Sequence, residues 1–86
     1  MTFTVVWKPG AAAALAELWL RAPDRSEITA AADDIDAALR NRPLQVGEIG
    51  NLDTRILVRL PLAVVYDVQL EDRRVQILLV AAVPEE

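Results

Sequence analysis

Apolar and polar residues alternate at the start of the chain and then change to a helical spacing. Residues 2–8, TFTVVWK, place Thr and Lys on one side and large apolar residues on the other, which predicts a half-buried strand. Pro9 and Gly10 end this strand, and Pro is tolerated at the start of a helix because its missing N–H would be unpaired there. The predicted core side of the strand consists of Phe3, Val5 and Trp7.

Two helices are predicted next, because apolar residues recur at every third or fourth position. The first covers residues 11–22 and ends before Pro23. The second begins after Asp24, a typical N-cap residue, and ends before Pro43. Both stripes are rich in Ala, which favours a close antiparallel hairpin. The stripe of the second helix consists of Ile28, Ala31, Ala32, Ile35, Ala38 and Leu39.

Residues 43–53 show no periodicity and contain two of the three glycines, which predicts a loop. Three strands separated by turns follow, so the element order is β-α-α-β-β-β. This order predicts a single α+β domain over residues 1–86, with a helical hairpin packed on one face of a mainly antiparallel four-stranded sheet. The predicted core positions of these three strands are Ile56, Val58, Leu60, Leu62, Val64, Tyr66, Val68, Val75, Ile77 and Leu79.

The opposite sheet face is predicted to be partly apolar. It would carry Arg55, Leu57 and Arg59 from the first of the three strands, together with Val65. Leu78 and Val80 would complete it. A contiguous apolar patch of this kind usually contacts a partner. Another protein and a second copy of the chain, which would make a homodimer, both remain open as that partner.

Composition excludes several kinds of chemistry. The 86 residues include no Cys and no His, so a disulfide, a thiolate metal site and the commonest general base are all absent. Asp33, Asp34 and Asp36 are interpreted as a solvated helix face, because hard cations require about six or more converging oxygens. A formal net charge of −4 works against autonomous nucleic-acid binding. Without a signal peptide or a membrane span, we expect a cytoplasmic protein that needs no metal or cofactor.

Two longer stretches resemble the RelE/ParE family of bacterial toxins from type II toxin–antitoxin systems, in particular its plasmid-stabilisation-type members. They are LAELWLRAPDRSEITAAADDIDAAL, residues 15–39, and RILVRLPLAVVYDV, residues 55–68. The resemblance covers nearly the whole chain. It implies a cognate antitoxin whose C-terminal segment wraps the toxin and fills a groove on its sheet. It also implies either ribosome-dependent cleavage of messenger RNA, as in RelE-like members, or inhibition of DNA gyrase, as in ParE-like members.

The sequence departs from the nuclease pattern of that family. The Arg expected three residues before the strand Tyr falls at Ala63, and the His-Arg pair that often follows the final strand falls at Ala81 and Ala82. The chain continues as VPEE, without a Tyr, His or Arg. Cleavage by an attacking 2′-hydroxyl needs charge stabilisation at the phosphate and a proton donor or acceptor. No catalytic residue is therefore assigned.

These departures favour a toxin component that acts by binding proteins, closer to the ParE-like branch. Two alternatives stay open. One is a RelE-like ribosome-dependent endonuclease with a degenerate site at Arg55, Arg59 and Tyr66. The other is a non-toxic binding module. Tyr66, Trp7 and Trp19 are interpreted as core residues, with partial exposure at a contact surface as the alternative for Trp19. The predicted positions for contact with a partner or a phosphate are Arg55, Leu57, Arg59, Val65, Leu78 and Trp19.

Overall fold

The computed structural model describes residues 2–50 and 53–84, and two helices and five strands form within them. The two helices are consecutive and follow the first strand. The elements in chain order are β1 Thr4–Trp7, α1 Pro9–Arg21, α2 Arg25–Asn41, β2 Glu48–Ile49, β3 Thr54–Arg59, β4 Leu62–Gln69 and β5 Arg74–Ala82.

The strands form one sheet in the order β1-β5-β4-β3-β2. β1 pairs in parallel with β5, and the other three pairs are antiparallel. The predicted α+β class and the mainly antiparallel sheet are confirmed, but the sheet has five strands where four were predicted. The additional strand, β2, has two residues and lies inside the segment predicted as a loop.

Both helices begin and end close to their predicted positions. Pro9 opens α1, and the side chain of Asp24 accepts a hydrogen bond from the Ser26 N–H at 3.0 Å to cap α2. The hydroxyl of Ser26 also donates to this carboxylate, and these bonds hold the pKa of Asp24 below its usual value. Three residues connect the helices, which favours antiparallel neighbours.

The core lies between the hairpin and one face of the sheet, here called the inner face. The predicted stripe of α2 is confirmed, with Ala32 partly buried and the other five residues buried. Tyr66 is confirmed as a core residue, with no exposed surface. The buried core residues are Ala11, Ile28, Ala31, Ile35, Ala38, Leu39, Leu57, Leu62, Val64, Tyr66, Val75 and Ile77.

The predicted orientation of β3 is wrong. Leu57 pairs with Val64 on the inner face and is 2% exposed, whereas Ile56 is 41% exposed. A shift of one residue exchanges the two faces of a strand. The alternation could not decide between the faces, because both sides of RILVRL carry large apolar residues. The other residues predicted for the core side of this strand, which are also exposed, are Val58 and Leu60.

The predicted orientation of the end of β5 is also wrong. Val65 pairs with Leu79 and Tyr66 pairs with Ile77, so Leu78 is left without a partner on β4. This β-bulge reverses the alternation beyond it. Leu79, predicted as a core residue, is 64% exposed, while Val80, predicted for the opposite face, packs against the core.

Candidate functional site

The sheet face opposite the helices, here called the outer face, is apolar and uncovered in the monomer. Its centre is formed by Ile56 on β3, Val65 on β4 and Leu79 on β5, which are neighbours through direct strand pairing. Val65 and Leu78 are half-buried, and both had been predicted for this face. A further row next to the centre consists of Val58, Ala63 and Ala81.

Charged side chains occur on the outer face mainly toward its margins. Glu48 pairs with Ile56 at the β2 edge, and Lys8 directly follows β1 at the other edge. Arg74 stands at the start of β5. Asp67 pairs with Gln76 between these margins, and its Oδ1 atom is buried without a hydrogen-bond partner.

Arg55 lies on the inner face, because it pairs with the buried Tyr66. Its guanidinium donates to the carbonyl oxygens of Leu44 at 3.0 Å, Val46 at 3.4 Å and Gly47 at 3.5 Å. All three contacts come from the Nη2 atom, so its two protons are shared among the three carbonyl oxygens. Arg55 therefore fastens the segment between α2 and β2 to the sheet.

Tyr66 also holds the segment between α2 and β2 against the sheet. Its hydroxyl lies 2.8 Å from the carbonyl oxygen of Pro43 and 2.8 Å from that of Val46, so its single proton is shared between them. Gly47 has a φ of 75°, and a Cβ atom there would lie 2.8 Å from this hydroxyl. Burial raises the pKa of the Tyr66 hydroxyl, and the neighbouring Arg55 guanidinium offsets part of that rise.

Arg59 has a different environment, although it lies on the same face of β3. Its Nε atom lies 3.2 Å from the Asp34 carboxylate of α2, and both side chains are substantially exposed. The four-residue separation places Arg55 and Arg59 roughly 13 Å apart along the strand. The two guanidinium groups contact different elements and do not converge on one phosphate-sized position.

Trp19 lies outside the sheet, on the helical hairpin. It is 38% exposed, its Nε1 atom donates to the Thr29 hydroxyl at 3.2 Å, and the Arg25 guanidinium lies 4.6 Å from the ring centroid. The sequence identified Trp19 but not the groove it borders, because the groove depends on how the two helices pack. The apolar residues that line this groove are Ala12, Leu15, Ala16, Trp19, Ile28 and Ala32.

Within residues 2–50 and 53–84, no three Asp, Glu, His or Cys side chains are arranged to hold a metal ion. Neither helix in this part of the chain has the length and apolar character that crossing a bilayer requires.

The sequence matches no protein-family model and no curated protein. The structure is similar to a chain of the toxin–antitoxin complex RelBE2 from Mycobacterium tuberculosis, with a TM-score of 0.81, 22% identity, and coverage of 95% of this chain and 92% of that one. It is also similar to a chain of the chromosomal ParDE system from P. aeruginosa, with a TM-score of 0.70, 22% identity, and coverage of 96% and 98%. The isolated E. coli RelE toxin gives a TM-score of 0.66 at 14% identity, with coverage of 98% and 87%.

The chain has the RelE/ParE toxin fold. This confirms the fold expected from the sequence resemblance. In each comparison the similarity extends over nearly the whole length of both chains. At these identities the similarity concerns architecture, so the chemistry of the site depends on the residues of this chain.

The RelE/ParE fold brings together two positions at which the nuclease pattern has basic residues. Ala63 and Ala81 are directly paired across β4 and β5, and Ala82 pairs with Leu62 in the next position. Two methyl groups therefore meet where the resemblance implies basic side chains. The cations nearest the centre of the outer face are at its margins, at Lys8 and Arg74.

Proposed function

We propose that this chain is the toxin component of a type II toxin–antitoxin system, and that it acts by binding a protein and is neutralised by a cognate antitoxin. The fold supports this proposal, because similar structures include chains of the RelBE2 and ParDE toxin–antitoxin complexes. The proposed activity is closer to that of ParE-like than to that of RelE-like proteins. Its target is a protein such as gyrase, and RNA is not cleaved.

The pairing of Ala63 with Ala81 is the observation that carries the non-nuclease part of the proposal. Phosphodiester cleavage needs preorganised positive charge at the phosphate and a group that transfers a proton. A methyl group supplies neither. Arg55 and Arg59 do not replace these functions, because they lie on the inner face and are engaged with backbone carbonyls and Asp34.

Two apolar surfaces support a role in protein binding. One is the outer face with its exposed Ile56, Val58 and Leu79. The other is the hairpin groove bordered by Trp19, a residue type that often anchors interfaces. The resemblance implies an antitoxin segment in a groove on the sheet, but we assign the antitoxin to the hairpin groove, with Trp19 as the central contact, because this groove is apolar and is bordered by a partly exposed indole. Leu57, buried at 2%, contributes to binding only by supporting the sheet.

Expression in a bacterial host tests this proposal. Induction of the chain alone should arrest growth, and co-expression of the adjacent reading frame should restore growth. Trp19→Ser should remain toxic but escape neutralisation, because its contact with the antitoxin is lost. Leu20→Ser is the matched control, because Leu20 is 60% exposed on the same helix but does not line the groove.

Unimpaired growth after induction of the folded chain would contradict the toxin role and would favour a non-toxic binding module. Equal neutralisation of both Trp19→Ser and the parent chain would contradict the assigned antitoxin contact. Far-ultraviolet circular dichroism of the purified variants checks that each one is folded.

A further inference from the structure

One row across the outer face has opposite charges at its two ends. Glu48 of β2 pairs with Ile56, Ile56 pairs with Val65, and Val65 pairs with Leu79. At the β1 edge, the N–H of Lys8 donates to the carbonyl oxygen of Ile77 at 3.0 Å, which keeps Lys8 beside this row. The central row, as we call it, therefore consists of Glu48, Ile56, Val65, Leu79 and Lys8.

The two charged ends of the central row are far apart in one molecule. Glu48 lies on the edge strand β2 and Lys8 directly follows the edge strand β1, so about four strand spacings, or about 19 Å, separate them. They cannot pair with each other within the chain. The three residues between them are apolar, and two of these, Ile56 and Leu79, are exposed.

A two-fold axis parallel to the strands would make this row complementary to itself. Such an axis reverses the order of the strands, so β1 of one copy faces β2 of the other. Glu48 then faces Lys8 of the second copy, Ile56 faces its Leu79, and Val65 lies near the axis. Two sheets pack face to face about 10 Å apart, with strand directions within about 30° of each other, which agrees with this arrangement.

The formal charges on the outer face sum to zero. Its strand residues and edges carry two anions, Glu48 and Asp67, and two cations, Lys8 and Arg74. The whole chain has a net charge of −4, but this face is balanced. Asp67, two residues along β4 from Val65, then lies near the axis and faces Asp67 of the second copy. This like-charge contact opposes association, so the apolar residues and the two Lys8–Glu48 contacts have to outweigh it.

We propose that the free chain forms a two-fold symmetric dimer in which the outer faces of two copies pack together along the central row. The interface is isologous, because the same surface serves both partners. The apolar middle supplies most of the association energy, and the two Lys8–Glu48 contacts set the orientation. This proposal uses only residues of this chain and does not rest on the proposed toxin function.

Sedimentation equilibrium of the purified full chain tests the dimer. The parent chain of 9.5 kDa should show a concentration-dependent mass approaching twice that value. Leu79→Ser should shift the equilibrium to the monomer. Leu20→Ser is the control, because Leu20 is similarly exposed at 60% but lies on α1, away from the sheet. Circular dichroism verifies that each variant is folded.

Charge exchange tests the orientation of the two copies. Lys8→Glu and Glu48→Lys should each weaken the dimer, by up to about tenfold in Kd, because both contacts then join like charges. The double variant K8E/E48K should recover the parent affinity. An equimolar mixture of the two single variants should also associate, because the opposite charges again face each other.

Three results would overturn the proposal. The first is a parent chain that remains monomeric up to millimolar concentration. The second is a Leu20→Ser variant that dissociates as readily as Leu79→Ser, which would place the contact on the hairpin. The third is a double charge exchange that fails to restore association, which would rule out a two-fold axis along the strands.

Discussion

Two arginines on one face of β3 have unequal roles. Arg55 donates to three backbone carbonyl oxygens near the buried Tyr66, whereas Arg59 forms an exposed ion pair with Asp34. The sequence correctly placed the two arginines on one face of β3, but it assigned them to the face opposite the helices, which is wrong. What each one contacts depends on the loop after α2 and on the position of α2, neither of which a strand pattern describes.

Arg55→Ala should therefore be much more destabilising than Arg59→Ala. Loss of the Arg55 guanidinium removes the donor from the carbonyl oxygens of Leu44 and Gly47, while Val46 keeps the Tyr66 hydroxyl, at a cost of about 1–3 kcal/mol in the free energy of unfolding. Arg59 takes part in an exposed pair, and its removal should cost less than about 1 kcal/mol. Urea denaturation of both variants measures the difference. Equal losses would mean that Arg55 does not fasten the loop.

Tyr66 gives the protein a predictable response to alkaline pH. Burial raises the pKa of its hydroxyl above the usual 10.0, so the folded chain keeps this proton where the unfolded chain loses it. The associated stability is complete below about pH 10 and is lost as the pH rises through the folded-state pKa. We expect Tyr66→Phe to be less stable than the parent at neutral pH, by about 1 kcal/mol, and less sensitive to alkaline pH.

The titration can be observed directly, because Tyr66 is the only Tyr in the chain. Ultraviolet absorbance of tyrosinate in the folded protein should rise at a higher pH than in the urea-unfolded protein. Coincident titration curves, together with parallel stability profiles for the parent and Tyr66→Phe, would contradict this account.

At the scale of elements, helices were predicted more accurately than strand faces. The stripe of α2 left one consistent face for the core, and Asp24 marked its start. β3 carries large apolar residues on both sides, so its two-residue period was equally compatible with either side facing the core. The β-bulge at Leu78 then reversed the end of β5. Both corrections come from pairing with β4, a long-range contact that local periodicity does not contain.

The orientation of β3 is testable with two neighbouring residues. Leu57→Ala should lower the free energy of unfolding by about 2–5 kcal/mol, because it removes a buried side chain from the core. Ile56→Ala should cost less than about 1 kcal/mol, since Ile56 is 41% exposed on the outer face. Thermal and urea denaturation compare the two. The reverse order would restore the orientation first predicted from the sequence.

At the scale of the whole molecule, the element order and two stretches of sequence were enough to predict the fold. The site was harder to predict, because the outer face is assembled from five strands that meet only after folding. Of the six predicted contact residues, Val65, Leu78 and Trp19 lie on or beside the two apolar surfaces. Arg55, Leu57 and Arg59 lie on the inner face. The outer face therefore lacks the two arginines that were predicted to contact a partner or a phosphate there.

Ribosome-programmed cleavage is the most direct test of the central claim, that this RelE/ParE-fold chain acts by binding protein and does not cut RNA. Purified chain is added to ribosomes stalled on a defined messenger RNA, and the RNA is analysed by primer extension. The account predicts intact messenger RNA, including for a preparation that arrests growth when expressed. Codon-dependent cuts that disappear in Arg59→Ala would contradict it and would establish a nuclease with a relocated site.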